Sequence, residues 1–128
     1  MEPAYHDKQM VVVNKYHRKF QHGDIVAFWS KELSCVLVKR IVAIPGDTVV
    51  ISDGKLYVNN SESDIFGASA LLSHAGTLEE EILLQAYEYV VLGDNFDESI
   101  DSRDSRVGVI TEADIYGRIS FPVVKPQK

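Results

Sequence analysis

CVLVKRIVAIPGD, residues 35–47, is an apolar run broken by one basic pair, Lys39-Arg40, and closed by a Pro-Gly-Asp turn. Its β-branched, continuously hydrophobic character reads as a strand that ends at Pro45-Gly46-Asp47. A strand that buries aliphatic side chains on both sides of a lysine either turns that lysine to solvent or uses it. Lys39 therefore has two readings. Its stem can lie over apolar neighbours at a strand edge with the ammonium group in water. Alternatively, Val36, Leu37, Val38, Ile41 and Val42 desolvate it. A free lysine titrates near ~10.4, and full burial can lower that by up to ~3–5 units, which is enough to make a base.

Outward from this stretch the chain keeps the same texture. Upstream, Gly23-Asp24 turns into IVAFW at 25–29, a second strand, and MVVV at 10–13 is a short buried one. Residues 30–33 form a charged, hairpin-like link. Phe28 and Trp29 close an apolar strand, with core packing and a surface role both open. Downstream, apolar runs at 48–52 and 55–58 flank Asp53-Gly54, a strong hairpin signal. Strand-like runs follow at 87–92, 107–110 and 115–124. Residues 64–85 are the least informative, although TLEEEILLQ at 77–85 predicts a short helix with acids in its first turn. Many short strands and little helix predict a mostly-β chain of one domain.

Composition narrows the chemistry. The 128 residues are 45% hydrophobic and 25% charged, ordinary for a globular protein. A net charge of -6 argues against nucleic-acid binding, which needs a basic face. The single cysteine, Cys35, excludes an internal disulfide. No apolar stretch approaches the ~20 residues that span a bilayer. His6, His17, His22 and His74 lack metal-ligand spacing among themselves. GDNFDESIDSR at 93–103 gathers Asp94, Asp97, Glu98, Asp101 and Arg103 in one loop. A solvated or calcium-binding loop is one reading, but Gly93 precedes the acids and no terminal glutamate stands where an EF-hand needs one. Asp paired with Arg inside the loop reads better as a self-braced buttress, and no metal or other cofactor is expected.

At this point four segments carry a family resemblance. VKRIVAIPGDTVVISDGKLYVNN at 38–60 resembles the lysine-bearing segment of the bacterial type I signal peptidases. VLGDNFDESIDSR at 91–103 is similar to that family's Gly-Asp-Asn…Ser-x-Asp-Ser-Arg segment. GDIVAFW at 23–29 matches its middle segment, and MEPAYHDKQMVVVNK at 1–15 resembles the segment that carries the nucleophile. The order is also the family's. The resemblance implies the signal-peptidase and SOS-repressor type of β fold, in the compact Gram-positive-like form without a large inserted second domain, with 64–86 as a variable insert.

It further implies a serine–lysine endopeptidase that removes signal peptides from exported pre-proteins, without histidine, metal or nucleic acid. Lys39 falls on the general base and Ser99 on the serine that orients it. Asp94, Asp101, Arg40 and Arg103 fall on the charged frame. Val36, Leu37 and Val38 would pair with an extended substrate and, with Met1 and Tyr5, line shallow pockets for small residues. The nucleophilic serine stands immediately before Met1 in this pattern. The sequence therefore reads as truncated just after it, inactive as given, and lacking an upstream anchor. In the full-length protein that anchor would hold the domain on membrane lipid at the extracytoplasmic side. Ala4-Tyr5, Lys8 and Phe96 depart from the usual Thr-Leu, Gly and Arg, and the bulk of Tyr5 bears on which side chain fits. Two other readings stay open: a non-catalytic relative that binds partners in surface-fibre assembly, and a self-cleaving serine–lysine repressor domain, which would lack the 93–103 loop.

Overall fold

The computed structural model describes residues 12–14, 19–67, 71–94 and 99–120. Among them the β-branched and aromatic runs form ten strands: β1 (Val12–Asn14), β2 (Ile25–Ser30), β3 (Cys35–Ala43), β4 (Thr48–Ser52), β5 (Lys55–Val58), β6 (Ser61–Glu62), β7 (Ile82–Leu83), β8 (Glu88–Leu92), β9 (Ile110–Thr111) and β10 (Ile115–Ser120). They build a six-stranded sheet, β1-β10-β2-β3-β8-β9, and a four-stranded sheet, β6-β5-β4-β7. Every pairing is antiparallel. The expected mostly-β architecture is what forms.

Two strands explain why the sequence looked continuously apolar where it did. Successive side chains of a strand point to opposite faces, and β8 buries both. Tyr89 and Val91 enter one core with Phe20, Val26, Phe28, Ile41, Ile110 and Ile115. Val90 and Leu92 enter the other, with Val42, Val49, Ile51, Leu56, Leu78 and Leu84. The register of β3 shifts by one residue between Ile41 and Ala43, so Ile41 serves the first core while Val42 and Ala43 serve the second. A fully buried aliphatic side chain contributes about 1.5–3 kcal/mol, so the ends of β3 and β8 hold the two sheets together. Phe28 is fully buried and Trp29 beside it is 37% exposed, which places Phe28 in the core and Trp29 on the surface.

Local chemistry sets the connections. At the β4–β5 turn both central residues have positive φ, 52° at Asp53 and 78° at Gly54, the type I′ geometry an Asp-Gly pair favours. The expected helix at 77–85 does not form. One 3-10 turn (Gly76–Glu79) is followed by β7, which pairs with the open edge of β4 through Val49 and Ile82. A nine-residue helix is marginal. The edge of β4 and the turn at 45–47 satisfy the backbone instead, with Leu84 N–H on the Asp47 carbonyl at 2.9 Å and Gly46 N–H on the Leu84 carbonyl at 3.0 Å. The run at 107–110 is also mostly turn. The N–H groups of Val107 and Gly108 both go to the Asp104 carbonyl, leaving only Ile110–Thr111 to pair with β8. Of the 10–13 and 115–124 runs, residues 10, 11 and 121–124 lie outside the described residues.

The turn that ends β3 is also a knot between the sheets. Asp47 Oδ2 accepts from Ile44 N–H at 3.0 Å and lies 2.7 Å from His22 Nε2, while Oδ1 accepts from Asn59 Nδ2 at 2.9 Å. Burial pushes this carboxyl up, but the hydrogen bonds from Ile44, Asn59 and His22 outweigh it and hold its pKa below the usual value. A depressed carboxylate stabilises the fold above its unfolded pKa, and that contribution is lost as pH falls through the folded one. Asp47→Asn is therefore expected to cost roughly 1–3 kcal/mol at neutral pH, with the melting curves of variant and wild type converging in acid. Parallel curves across the whole pH range would refute the assignment.

Candidate active site

Lys39 sits in the middle of β3, opposite Val26 of β2. Residues directly opposite in an antiparallel pair share a face, so Lys39 lies on the face that carries Val26 and Ile41. Its stem is half-buried against that core. Its Nζ donates to Ser99 Oγ at 2.9 Å. Burial pushes the Lys39 amine down; Asp101 and Asp94 oppose that and Arg103 adds to it, and the net direction is down. Burial and the hydrogen bond to Ser99 Oγ both act on this amine.

What lets Ser99 reach it is an absence. Gly93 follows β8 on the same face, and a Cβ there would collide with Ser99 Oγ, lie 2.6 Å from Ser99 Cβ and come within 3.4 Å of Lys39 Nζ. The Gly93 N–H donates to Asp101 Oδ2 at 3.0 Å. Asp101 also accepts from Arg103 N at 3.1 Å, Nε at 2.9 Å and Nη2 at 2.9 Å. Four N–H groups fill the lone-pair sites of that carboxylate, and both side chains of the pair are fully buried. Arg40, next to Lys39 but on the opposite face, forks onto Asp94 at 2.8 and 2.7 Å and donates to the Gly23 carbonyl at 3.0 Å. Two Asp–Arg pairs thus fix the loop at both ends of the Gly93–Ser99 segment.

The structure brings Lys39, Ser99, Asp94, Asp101, Arg40 and Arg103 into one cluster. Beside it, β3 pairs with β2 along Cys35–Arg40, but with β8 only from Arg40 onward. Among the described residues, no strand covers the Cys35–Lys39 half of β3 on its β8 side. Val36 there is 50% exposed, and Leu37 and Val38 are half-buried. Leu37 also packs against the first core. Met1 and Tyr5 lie outside the described residues, as do Asp97, Glu98 and Phe96 of the loop. No group of His, Cys, Asp and Glu suited to a metal ion occurs among the described residues.

A family profile described as "Signal peptidase, peptidase S26" matches residues 1–124. The chain belongs to the signal peptidase family. It is 34% identical over 131 residues to signal peptidase I P of Bacillus subtilis subsp. natto, covering 94% of this chain and 70% of that protein. To signal peptidase IB of Staphylococcus aureus strain N315 it is 32% identical, covering 94% and 71%. Its fold is similar to that of a signal peptidase I from Enterococcus faecalis V583, with a TM-score of 0.63 and 27% identity over 78% of this chain and 96% of that one. Family members are serine endopeptidases.

Within this signal peptidase site, two features were not singled out from sequence. In the sequence Gly93 opens the 93–103 loop and its Gly-Asp-Asn segment, and nothing there shows that it faces Lys39. Ser102 pairs with β8 as a strand would: its N–H donates to the Val91 carbonyl at 3.0 Å and its Oγ accepts from Val91 N–H at 2.9 Å. In a chain preceded by the serine, Gly93→Ala is expected to displace Ser99 and lower kcat at least ~100-fold, the order of loss an ångström of misplacement brings, with KM little changed. Wild-type turnover in that variant would show that the Ser99–Lys39 contact is dispensable.

Proposed function

We propose that this chain is the catalytic domain of an endopeptidase that removes N-terminal signal peptides from exported pre-proteins. In this reading Lys39 takes the proton of a serine standing immediately before Met1. The serine oxygen attacks the scissile carbonyl, and Lys39 returns the proton to the leaving amine as the acyl-enzyme forms. The amine that leaves is the new N-terminus of the mature protein; Lys39 then activates the water that hydrolyses the serine ester and releases the signal peptide as a carboxylate. Ser99 orients the amine, while Arg40–Asp94 and Asp101–Arg103 hold the loop that carries Ser99. The uncovered half of β3 accepts the substrate as an added strand, with Val36, Leu37 and Val38 beside it and Met1 and Tyr5 completing pockets for small side chains. Membrane lipid at the extracytoplasmic face is the setting in which such a substrate presents itself.

The observation that carries this reading is the half-buried Lys39 amine, lowered by burial and held on Ser99 beneath a glycine. The names of the relatives, signal peptidase I among them, agree with it. The test uses three polypeptides on one pre-protein: residues 1–128 alone, the same chain preceded by serine, and the serine-bearing chain with Lys39→Ala. Cleavage is expected only from the second. Equal cleavage by the second and third would overturn the assignment of Lys39. No cleavage from any of them would favour a binding role.

A further inference from the structure

We infer that the segment 74–77, which lies in the sequence's least informative stretch, is part of the active-site architecture, with Thr77 a positioning residue for the Asp101–Arg103 pair. The inference rests on the dyad reading above and assigns that site a further residue. The Thr77 amide donates to the Arg103 carbonyl at 2.9 Å and its hydroxyl donates to the Ser102 carbonyl at 2.5 Å. One residue earlier, Gly76 has φ +56°, and a Cβ there would collide with the Arg103 carbonyl oxygen and lie 2.9 Å from its carbon. Only a glycine allows two backbones to approach so closely. Arg103 Nη1 reaches the His74 carbonyl at 3.5 Å. Leu78, next along, is buried in the second core and anchors the segment.

The consequence is a two-sided grip. Val91 of β8 holds Ser102 on one side through its N–H and hydroxyl, and Thr77 holds the Ser102 and Arg103 carbonyls on the other. These two residues follow Asp101, whose carboxylate takes the Gly93 N–H. Thr77 is thus linked through the loop to the ceiling over Lys39. The charged groups that act on Lys39 are Asp101, Arg103 and Asp94, and two of the three belong to the gripped loop. Releasing one side lets the loop drift and admits water to Lys39. Drift lowers turnover, and hydration raises the pH at which the amine becomes neutral.

Thr77→Val removes the hydroxyl and keeps the shape and the amide, whereas Thr77→Ser keeps the hydroxyl. In the serine-bearing chain, Thr77→Val is expected to lower kcat roughly tenfold, leave KM within about twofold, and move the acid limb of the kcat/KM profile to higher pH. Thr77→Ser should restore both. Titration of Lys39 by its Cε carbon resonance should show the same upward move in Thr77→Val without relying on turnover. Wild-type kcat and an unmoved Lys39 titration in a folded Thr77→Val chain would overturn the inference, as would equal losses in the Ser variant. Lys39→Ala, run alongside, separates the two failures. If it is dead while Thr77→Val is normal, only the positioning role falls. If it cleaves normally, the dyad reading falls and this inference falls with it.

Discussion

Lys39→Ala in a serine-bearing chain is expected to lower kcat by roughly 10²–10⁴-fold, the range general acid–base catalysis supplies, while pre-protein binding changes little. The reason lies in where the nitrogen is held. A lysine in water keeps its proton at neutral pH. Here burial lowers that tendency, and Ser99 fixes the amine in one place. The acid limb of the wild-type kcat/KM profile should therefore lie below the usual lysine range, because activity is lost as pH falls and the base becomes protonated. Lys39→Arg should not rescue, since a guanidinium stays charged and cannot act as the base. Full activity of the arginine variant would rule out a proton-accepting role.

The second large effect is on stability. Asp101→Ala is expected to destabilise the fold by about 3–5 kcal/mol, the cost of removing one member of a buried ion pair. That is a large share of the ~5–15 kcal/mol that holds a typical domain together. Alanine leaves the Gly93 and Arg103 N–H groups and the Arg103 guanidinium without the carboxylate that takes them, in a place where both side chains of the pair are fully buried. Urea unfolding measures this directly. A midpoint shift worth under about 1 kcal/mol would mean that water or a neighbouring carbonyl replaces the carboxylate at little cost. The exposed Asp104–Arg106 pair, forked in the same way, is the internal control: breaking a surface pair changes stability little.

Much of the fold was legible because short strands announce themselves by β-branching and by Gly, Asp and Pro turns. β2, β3, β4, β5 and β8 stand where their apolar runs stood, and Asp53-Gly54 turns as its chemistry requires. The misread stretches share a cause. Residues 77–85 have mixed propensity, so the vacant edge of β4 decided their conformation, and a sequence pattern does not display vacancies. At 107–110, one carbonyl of Asp104 captured two backbone donors that an apolar pattern assigns to a strand. The site was legible differently. Position-by-position likeness to a family named Lys39, Ser99, Asp94, Asp101, Arg40 and Arg103. Bare physics left Lys39 with two readings, because its desolvation depends on Gly93 and Ser99, far along the chain. Gly76 and Thr77 carried no signal, since what matters there is how closely two backbones approach.

The double-sided burial of β8 also bears on how the chain reaches its fold. β8 belongs to both cores, and it meets β3 only after the intervening strands, turns and the 64–86 stretch have been synthesised. Neither core is complete until that long-range pairing closes, and closing it costs loop entropy before any contact rewards it. That pairing is a non-local contact of the kind that slows the folding of β proteins, and β9 and β10 must still follow it to complete the first core. Until β3 and β8 pair, the Lys39 strand and the Ser99 loop are parts of separate, unfinished layers. The Lys39–Ser99 contact, which joins those two parts, therefore depends on that pairing.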